Sequence, residues 1–383
     1  MKHVAIVILN WNGRQMLQKF LPSVLKYSLL DSEGEAGWRA PHHSTPIHLT
    51  SEVIVADNGS TDDSVAFLRE NYPDLRIIEL DRNYGFAGGY NRALEQVKAN
   101  YYVLLNSDVE CTPHWIQPVI NMMEHNRKWA VAQPKMLMYD RRNTFEYAGA
   151  AGGFIDSLGY PFCRGRLFST FENDHGQYDT EENIFWASGA AMFVRARVWN
   201  KLGGLDEDFF AHMEEIDFCW RAKNAGYTVR YCPKSQVFHV GGGTLPKSSP
   251  MKTMLNFRNN LSMLYKNLPV KTLKKTIRLR LLLDNLAALK FLFEGKVAEF
   301  HAVYTAHREF KALIPDLELK RQQQTQEQVS GIYTGMLLIE YYLLRRHIFT
   351  SLRGRFIKHK RTEKGKKQSV EQEVSEESSE NQD

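Results

Sequence analysis

Three acidic side chains within four positions, Glu214, Glu215 and Asp217, stand between Phe209-Phe210-Ala211 and Phe218-Cys219-Trp220. Acids clustered among large aromatic residues are a pattern of functional carboxylates. A carboxylate of ordinary pKa, about 4.3, is ionised at neutral pH and can accept the proton of an attacking hydroxyl. A second chemical element is Leu104-Leu105-Asn106-Ser107-Asp108, where an apolar run stops at three small polar residues ending in a carboxylate. Such a carboxylate can hold a hard divalent cation that bridges phosphate oxygens. His239, followed closely by Gly241-Gly242-Gly243, is a candidate second ligand. Each group also has a plain structural reading: Asp108 caps a helix near Pro113, the acids complement a helix N-terminus, and His239 is a core histidine.

The elements that must position these groups can be read from hydropathy. Val4 to Leu9 and Val53 to Ala56 are apolar runs suited to buried parallel strands, as are Leu75 to Leu80 and Tyr101 to Leu105. Helical stripes follow them, at Arg14 to Leu29, Ser64 to Asn71 and after Asn83. Four such units predict a mostly parallel, right-handed α/β sheet with helices on both faces. The polar clusters at 10–13, 57–62, 83–91 and 106–108 all fall at strand carboxyl ends or helix starts, so they share one rim. That rim is where a nucleotide or phosphate site is expected. Its candidate donor-binding residues are Asn10, Asn12, Asp57, Asn58, Gly59, Asn83, Gly88, Asn106 and Ser107. Further strands are expected at 131–138, 148–155, 184–194, 227–231 and 237–240, with a helix starting near Glu214. Residues 31–51 read as a long surface loop.

Charge divides the chain in three. Residues 1–249 carry 25 basic and 29 acidic side chains, residues 250–361 carry 21 and 8, and residues 362–383 carry 3 and 7. The middle block has apolar residues at helical spacing over 255–268, 272–294 and 296–313. It is expected either to bind an anionic membrane surface, or to pack on the preceding body or form a dimer. The last 22 residues, rich in Glu, Ser, Gln and Lys, read as a disordered tail. The four cysteines show neither a CxxC pair nor zinc spacing, so reduced thiols in a cytoplasmic protein are expected. No uncharged apolar stretch reaches membrane-spanning length, the start is too short for a signal peptide, and no nucleic-acid partner is indicated.

In order along residues 1–265, strand-Asn-Trp-Asn-Gly, Val-Ala-Asp57-Asn-Gly-Ser-Thr-Asp, Asn83-Tyr-Gly-Phe-Ala-Gly-Gly-Tyr-Asn, Leu-Asn-Ser-Asp108, Ser188-Gly189-Ala190, Glu214-Glu215-Ile216-Asp217-Phe-Cys-Trp-Arg221 and Phe238-His239-Val-Gly-Gly-Gly follow one another. Together they resemble the family 2 inverting glycosyltransferases of GT-A fold, within them the rhamnosyltransferase-like enzymes of bacterial surface-polysaccharide assembly. The resemblance implies a catalytic domain over 1–249 with a C-terminal helical extension. It implies transfer of a sugar, rhamnose among the candidates, from a dTDP- or UDP-sugar to a hydroxyl of a glycan or lipid-linked glycan. Asp57 would contact the base or ribose, and Asn83 with the turn after it would line the donor. Asp108 and His239 would hold Mg²⁺ or Mn²⁺, and Glu215, beside Glu214 and Asp217, would be the general base. Ser188 and Gly189 would face the acceptor, while Trp186 is either an acceptor platform or core. Two departures stand out: Asn106 replaces the first acid of the usual Asp-x-Asp, and the usual Glu-Asp pair is Glu214-Glu215. A sugar nucleotidyltransferase shares the chemistry of a metal-bound diphosphate, but Asn10-Trp11-Asn12-Gly13 is not its Gly-rich basic signature. A non-catalytic sugar-binding scaffold would be expected to lack an acid at 108 or 215.

Overall fold

The computed structural model describes residues 2–29, 47–241 and 249–358. The expected tail at 362–383, most of the 31–51 loop and Gly242-Gly243 lie outside the described residues. The chain opens with β1 (Lys2–Asn10), α1 (Arg14–Ser28), β2 (Leu49–Asp57), α2 (Ser64–Asn71), β3 (Arg76–Glu79), α3 (Gly85–Leu94) and β4 (Tyr101–Asn106). β3, β2, β1 and β4 lie side by side and parallel. Their branched and aromatic residues are buried on both faces, as the unbroken apolar runs require.

The sheet then changes sense. After β5 (Val109–Cys111) and α4 (Gln117–Glu124) come β6 (Trp129–Met138), β7 (Gly153–Asp156), β8 (Pro161–Cys163), β9 (Arg166–Leu167), β10 (Thr170–Phe171), β11 (Glu182–Ile184) and β12 (Ala191–Arg195). After α5 (Ala196–Leu202) and α6 (Glu214–Asn224), β13 (Thr228–His239) completes a nine-stranded sheet. Its order is β11-β13-β6-β12-β4-β1-β2-β3, with β5 also paired to β13. The strand expected over 148–155 is present only from Gly153, because Ala148 to Gly152 turn sharply. The region expected as one strand over 184–194 is two, separated by the tight passage Phe185 to Ala190. Conversely, the stretches at 227–231 and 237–240 are one strand, β13, whose register against β6 slips between Cys232 and Gln236.

The C-terminal region is α7 (Pro250–Asn267), α8 (Val270–Phe293), α9 (Val297–Gln322) and a short strand, β14 (Ile332–Tyr333). β14 adds in parallel to β7, in a second sheet ordered β10-β9-β8-β7-β14. Met263, Leu264, Leu268, Tyr333 and Leu337 share a core with the central sheet. The basic block therefore packs on the preceding body along one side. No described helix is long and apolar enough to cross a membrane.

Candidate active site

β5 runs antiparallel to β13 with Val109 opposite His239, and this ladder brings Asp108 against the imidazole. Asp108 Oδ1 lies 3.1 Å from His239 Nε2, and both residues are buried. Burial alone would raise the Asp108 pKa, but the facing His239 holds it below the usual value. His239 Nδ1 lies 3.2 Å from Glu146 Oε1, in contact although not aligned for a hydrogen bond. Burial would lower the His239 pKa, yet the two flanking carboxylates lift it to about 10. Asn106 Nδ2 is 3.4 Å from the same Nε2. Glu146 escaped the sequence reading: it sits in an unremarkable segment and meets His239 only through tertiary pairing.

Two ligands at about 2.1 Å from one cation, at right angles, are about 3.0 Å apart. The Asp108–His239 separation therefore fits neighbouring positions on one Mg²⁺ or Mn²⁺, with the Glu146 carboxylate against the far nitrogen of the imidazole. Among the described residues no group of three or more His, Cys, Asp or Glu side chains is arranged to hold a metal ion. A two-ligand set suits a cation whose remaining positions are taken by substrate phosphate and water.

The rim next to Asp108 is stitched together by its own side chains. Asp57 Oδ1 accepts from Asn10 Nδ2 (2.9 Å) and the Ser60 hydroxyl (2.6 Å), and Oδ2 accepts from Ser60 N–H (2.9 Å). Three of the roughly four acceptor positions of the carboxylate are thus taken. Asn10 Oδ1 remains buried without a partner. Asn12 Oδ1 accepts from the Thr61 and Asp62 amides. Asn58 donates to Asn83 Oδ1 and the Gly85 carbonyl, while its own oxygen accepts from Tyr84 N–H. Ser107 lies near Gly13, and Gly88 packs against Tyr84 and Arg92. Gly59 fits against the Arg82 backbone, where a Cβ would stand 2.5 Å away.

The start of α3 differs from expectation. Phe86 N–H and Ala87 N–H both donate to the Phe210 carbonyl, at 2.7 and 3.3 Å. Gly85, at φ +72°, leaves room for that carbonyl, since a Cβ there would be 2.5 Å from it. This helix start is thus capped from within the chain, and these two amides do not face the rim as phosphate donors.

The loop that supplies the cap also carries α6. Phe210, His212 and Met213 all have positive φ (60°, 72° and 75°), a costly backbone for bulky residues. Asn259 on α7 holds the loop in place, donating through its amide to the carbonyls of Phe209, Ala211 and His212.

α6 then separates its three acids. Glu214 and Asp217, three apart, are buried; Glu215, about 100° round the helix, is half-buried. Glu215 Oε2 has no hydrogen-bond partner, and burial raises its carboxyl to about 7. Burial and the neighbouring Glu215 push Glu214 well above the ordinary range. Glu215 faces Gly189, where a Cβ would lie 3.7 Å from its own.

Two expected site residues are corrected. Asp217 is fully buried and accepts from Arg221 Nε (2.8 Å), Lys266 Nζ (2.9 Å) and Asn267 Nδ2 (2.8 Å), so its carboxylate is engaged in anchoring α7. Lys266 also donates to Asp206, which in turn accepts from Lys320 of α9. Trp186 is 4% exposed, donates its indole N–H to the Phe154 carbonyl and lies flat on Gly153, so it is core. Ser188 is likewise buried, its N–H on Gln133.

The family model described as "Glycosyl transferase family 2" matches residues 5–195. The chain is similar to an N-acetylglucosaminyl-diphospho-decaprenol L-rhamnosyltransferase of Mycobacterium tuberculosis, 26% identical over 205 residues. That match covers 49% of this chain and 66% of the relative. It is also similar to the low-salt glycan biosynthesis hexosyltransferase Agl10 of Haloferax volcanii, 23% identical over 257 residues, covering 64% of this chain and 78% of the relative. The crystal structure of S. aureus TarS superposes with a TM-score of 0.50 at 15% identity. It covers 84% of this chain and 53% of that one, a likeness of fold. The fold is that of the GT-A glycosyltransferases.

Proposed function

Through residues 5–195 this chain belongs to glycosyl transferase family 2, and on that footing we propose that it transfers a hexose, with rhamnose the leading candidate, from a nucleotide-diphosphate donor to a hydroxyl of a glycan or lipid-linked glycan. The observation that carries the reading is Glu215: a half-buried carboxylate with one unpartnered oxygen and a pKa raised to about 7. A group of that pKa is largely ionised just above neutrality and still basic enough to take a proton from an alcohol as its oxygen attacks. The Glu214 carboxyl beside it is pushed well above the ordinary range by burial and by Glu215. Attack on the anomeric carbon from the face opposite the leaving diphosphate is a single displacement and inverts configuration.

Asp108 and His239 would hold Mg²⁺ or Mn²⁺ on the donor, with Glu146 orienting the imidazole so that Nε2 faces the cation. The cation would supply charge stabilisation to the departing diphosphate. The nucleoside end would lie along the rim of Asn10, Asp57, Asn58 and Asn83, where the buried side-chain Oδ1 of Asn10 has no partner. The Mycobacterium relative, whose name specifies rhamnosyl transfer to N-acetylglucosaminyl-diphospho-decaprenol, supports rhamnose as the sugar and a lipid-linked acceptor. Four free, buried cysteines support a cytoplasmic setting.

Isothermal titration with UDP, dTDP and GDP, with and without Mn²⁺, tests the donor side. Binding that needs the metal and is lost in Asp108→Ala is expected. Equal affinity in excess EDTA, or unchanged metal dependence in Asp108→Ala, removes the metal role.

A further inference from the structure

α8 packs Leu273, Ile277 and Leu281 against the core, and beside them buries a polar seam of Thr276, Arg280 and Asp284 with Ala288. That register is locked. Arg280 donates to the Leu158 carbonyl at 2.8 Å and to Asn260 Oδ1, and stacks 3.9 Å from the Tyr160 ring centroid. Asp284 contacts both Arg280 and His307. Turning the helix to bury its exposed leucines would break all of these contacts.

The opposite side carries Lys271, Lys275, Arg278, Leu282, Leu286, Leu289 and Phe293, each exposed. Their spacing of three or four residues makes one continuous stripe. Its first three members are cationic and its last four apolar, Phe293 being 87% exposed. At about 1.5 Å rise per residue the apolar part runs for about 16 Å. None of Lys271, Lys274, Lys275 and Arg278 has an ion-pair partner among the described residues. α8 contains one acid, Asp284, and it is buried.

We propose that this face of α8 docks on an anionic lipid bilayer, Leu282 to Phe293 entering the headgroup–acyl boundary while Lys271 to Arg278 lie against lipid phosphates. The charge pattern selects this occupant. A bilayer offers both an apolar layer and anionic headgroups, whereas a second copy joined through the same face brings no carboxylate from α8 to meet the cations. The inference stands independently of the transferase reading, because its measurements involve neither donor nor transfer.

The test is co-sedimentation of the full chain with phosphatidylcholine vesicles with and without phosphatidylglycerol, at low and high salt. Binding that requires phosphatidylglycerol and weakens with salt is expected. Leu286→Ser/Phe293→Ser and Lys271→Glu/Lys275→Glu should each weaken it at least about tenfold. Their melting temperature and nucleotide binding should stay unchanged, because these side chains are exposed and lie outside the site. Phe293→Trp should show a blue-shifted emission on vesicles. Failure of the wild type to sediment with anionic vesicles at low salt overturns the proposal, as does wild-type binding by both double variants. Light scattering that shows a dimer, broken to monomers by Leu286→Ser/Phe293→Ser, would assign the face to a second copy and also overturn it.

Discussion

Replacing Glu215 by Gln should make the protein more stable and nearly inactive at the same time. The Glu215 carboxyl is raised from 4.5 to about 7 by burial. A group whose folded pKa is raised contributes stability that is fully present below its unfolded value and is lost as pH rises through the folded one. The ionised form at pH 8 therefore costs the fold about 3 kcal/mol, at about 1.4 kcal/mol per unit. Gln keeps the shape and carries no charge, so Glu215→Gln should melt several degrees higher at pH 8. The gain should shrink through pH 7 and vanish near pH 4.5. The same substitution removes the base, and kcat should fall about 10²–10⁴-fold. In the wild type kcat/KM should decline on the acid side with a midpoint near 7, a value that belongs to the Glu214–Glu215 pair as a unit. Differential scanning fluorimetry from pH 5 to 8 and a pH–rate profile (about three units of range) read both effects. A stability change that is absent at pH 8, or equal at pH 5 and 8, would show that burial does not penalise the ionised base. An acid limb that persists in Glu215→Gln would give the proton transfer to another group.

Other substitutions probe the surroundings of the base. Glu146→Gln should weaken Mn²⁺-dependent nucleotide binding about 10–100-fold by titration calorimetry. Asn259→Ala removes three hydrogen bonds to the 209–212 carbonyls and should cost about 1–3 kcal/mol in urea melts, with kcat falling more than donor affinity. Asp217→Ala strands Lys266 and Arg221 and should destabilise by about 3–5 kcal/mol, measured by thermal or urea unfolding.

The parallel half of the sheet was legible because each of its strands is a short, continuous apolar run that ends in small polar residues. The same endings located Asp57, Asp108 and the rim, and the three-residue spacing on α6 set Glu215 apart from Glu214 and Asp217. What escaped depends on contacts between distant segments. Glu146 meets His239 across 93 positions. Nothing local to Phe210 announces that its carbonyl closes the start of α3. Trp186 suits either a platform or a core, and only the Gly153 backbone beneath it decides. The raised pKa of Glu215 likewise comes from burial by neighbours, so the ordinary value expected from the residue type alone does not hold.

The cation pairing of Asp206 and Asp217 bears on modularity. The family match ends at residue 195, so by that measure a cut after 249 removes only an appendage. Such a cut would take away Lys266 and Lys320, leaving two buried carboxylates with Arg221 as the sole remaining cation among these partners. It would also release the 209–213 loop from Asn259 and strip β14 from β7. The inheritable unit is therefore larger than the recognisable one. A chimera that borrows the C-terminal helices of a relative must bring Asp206 and Asp217 together with the lysines of α7 and α9, or the catalytic half loses the shape of its own base.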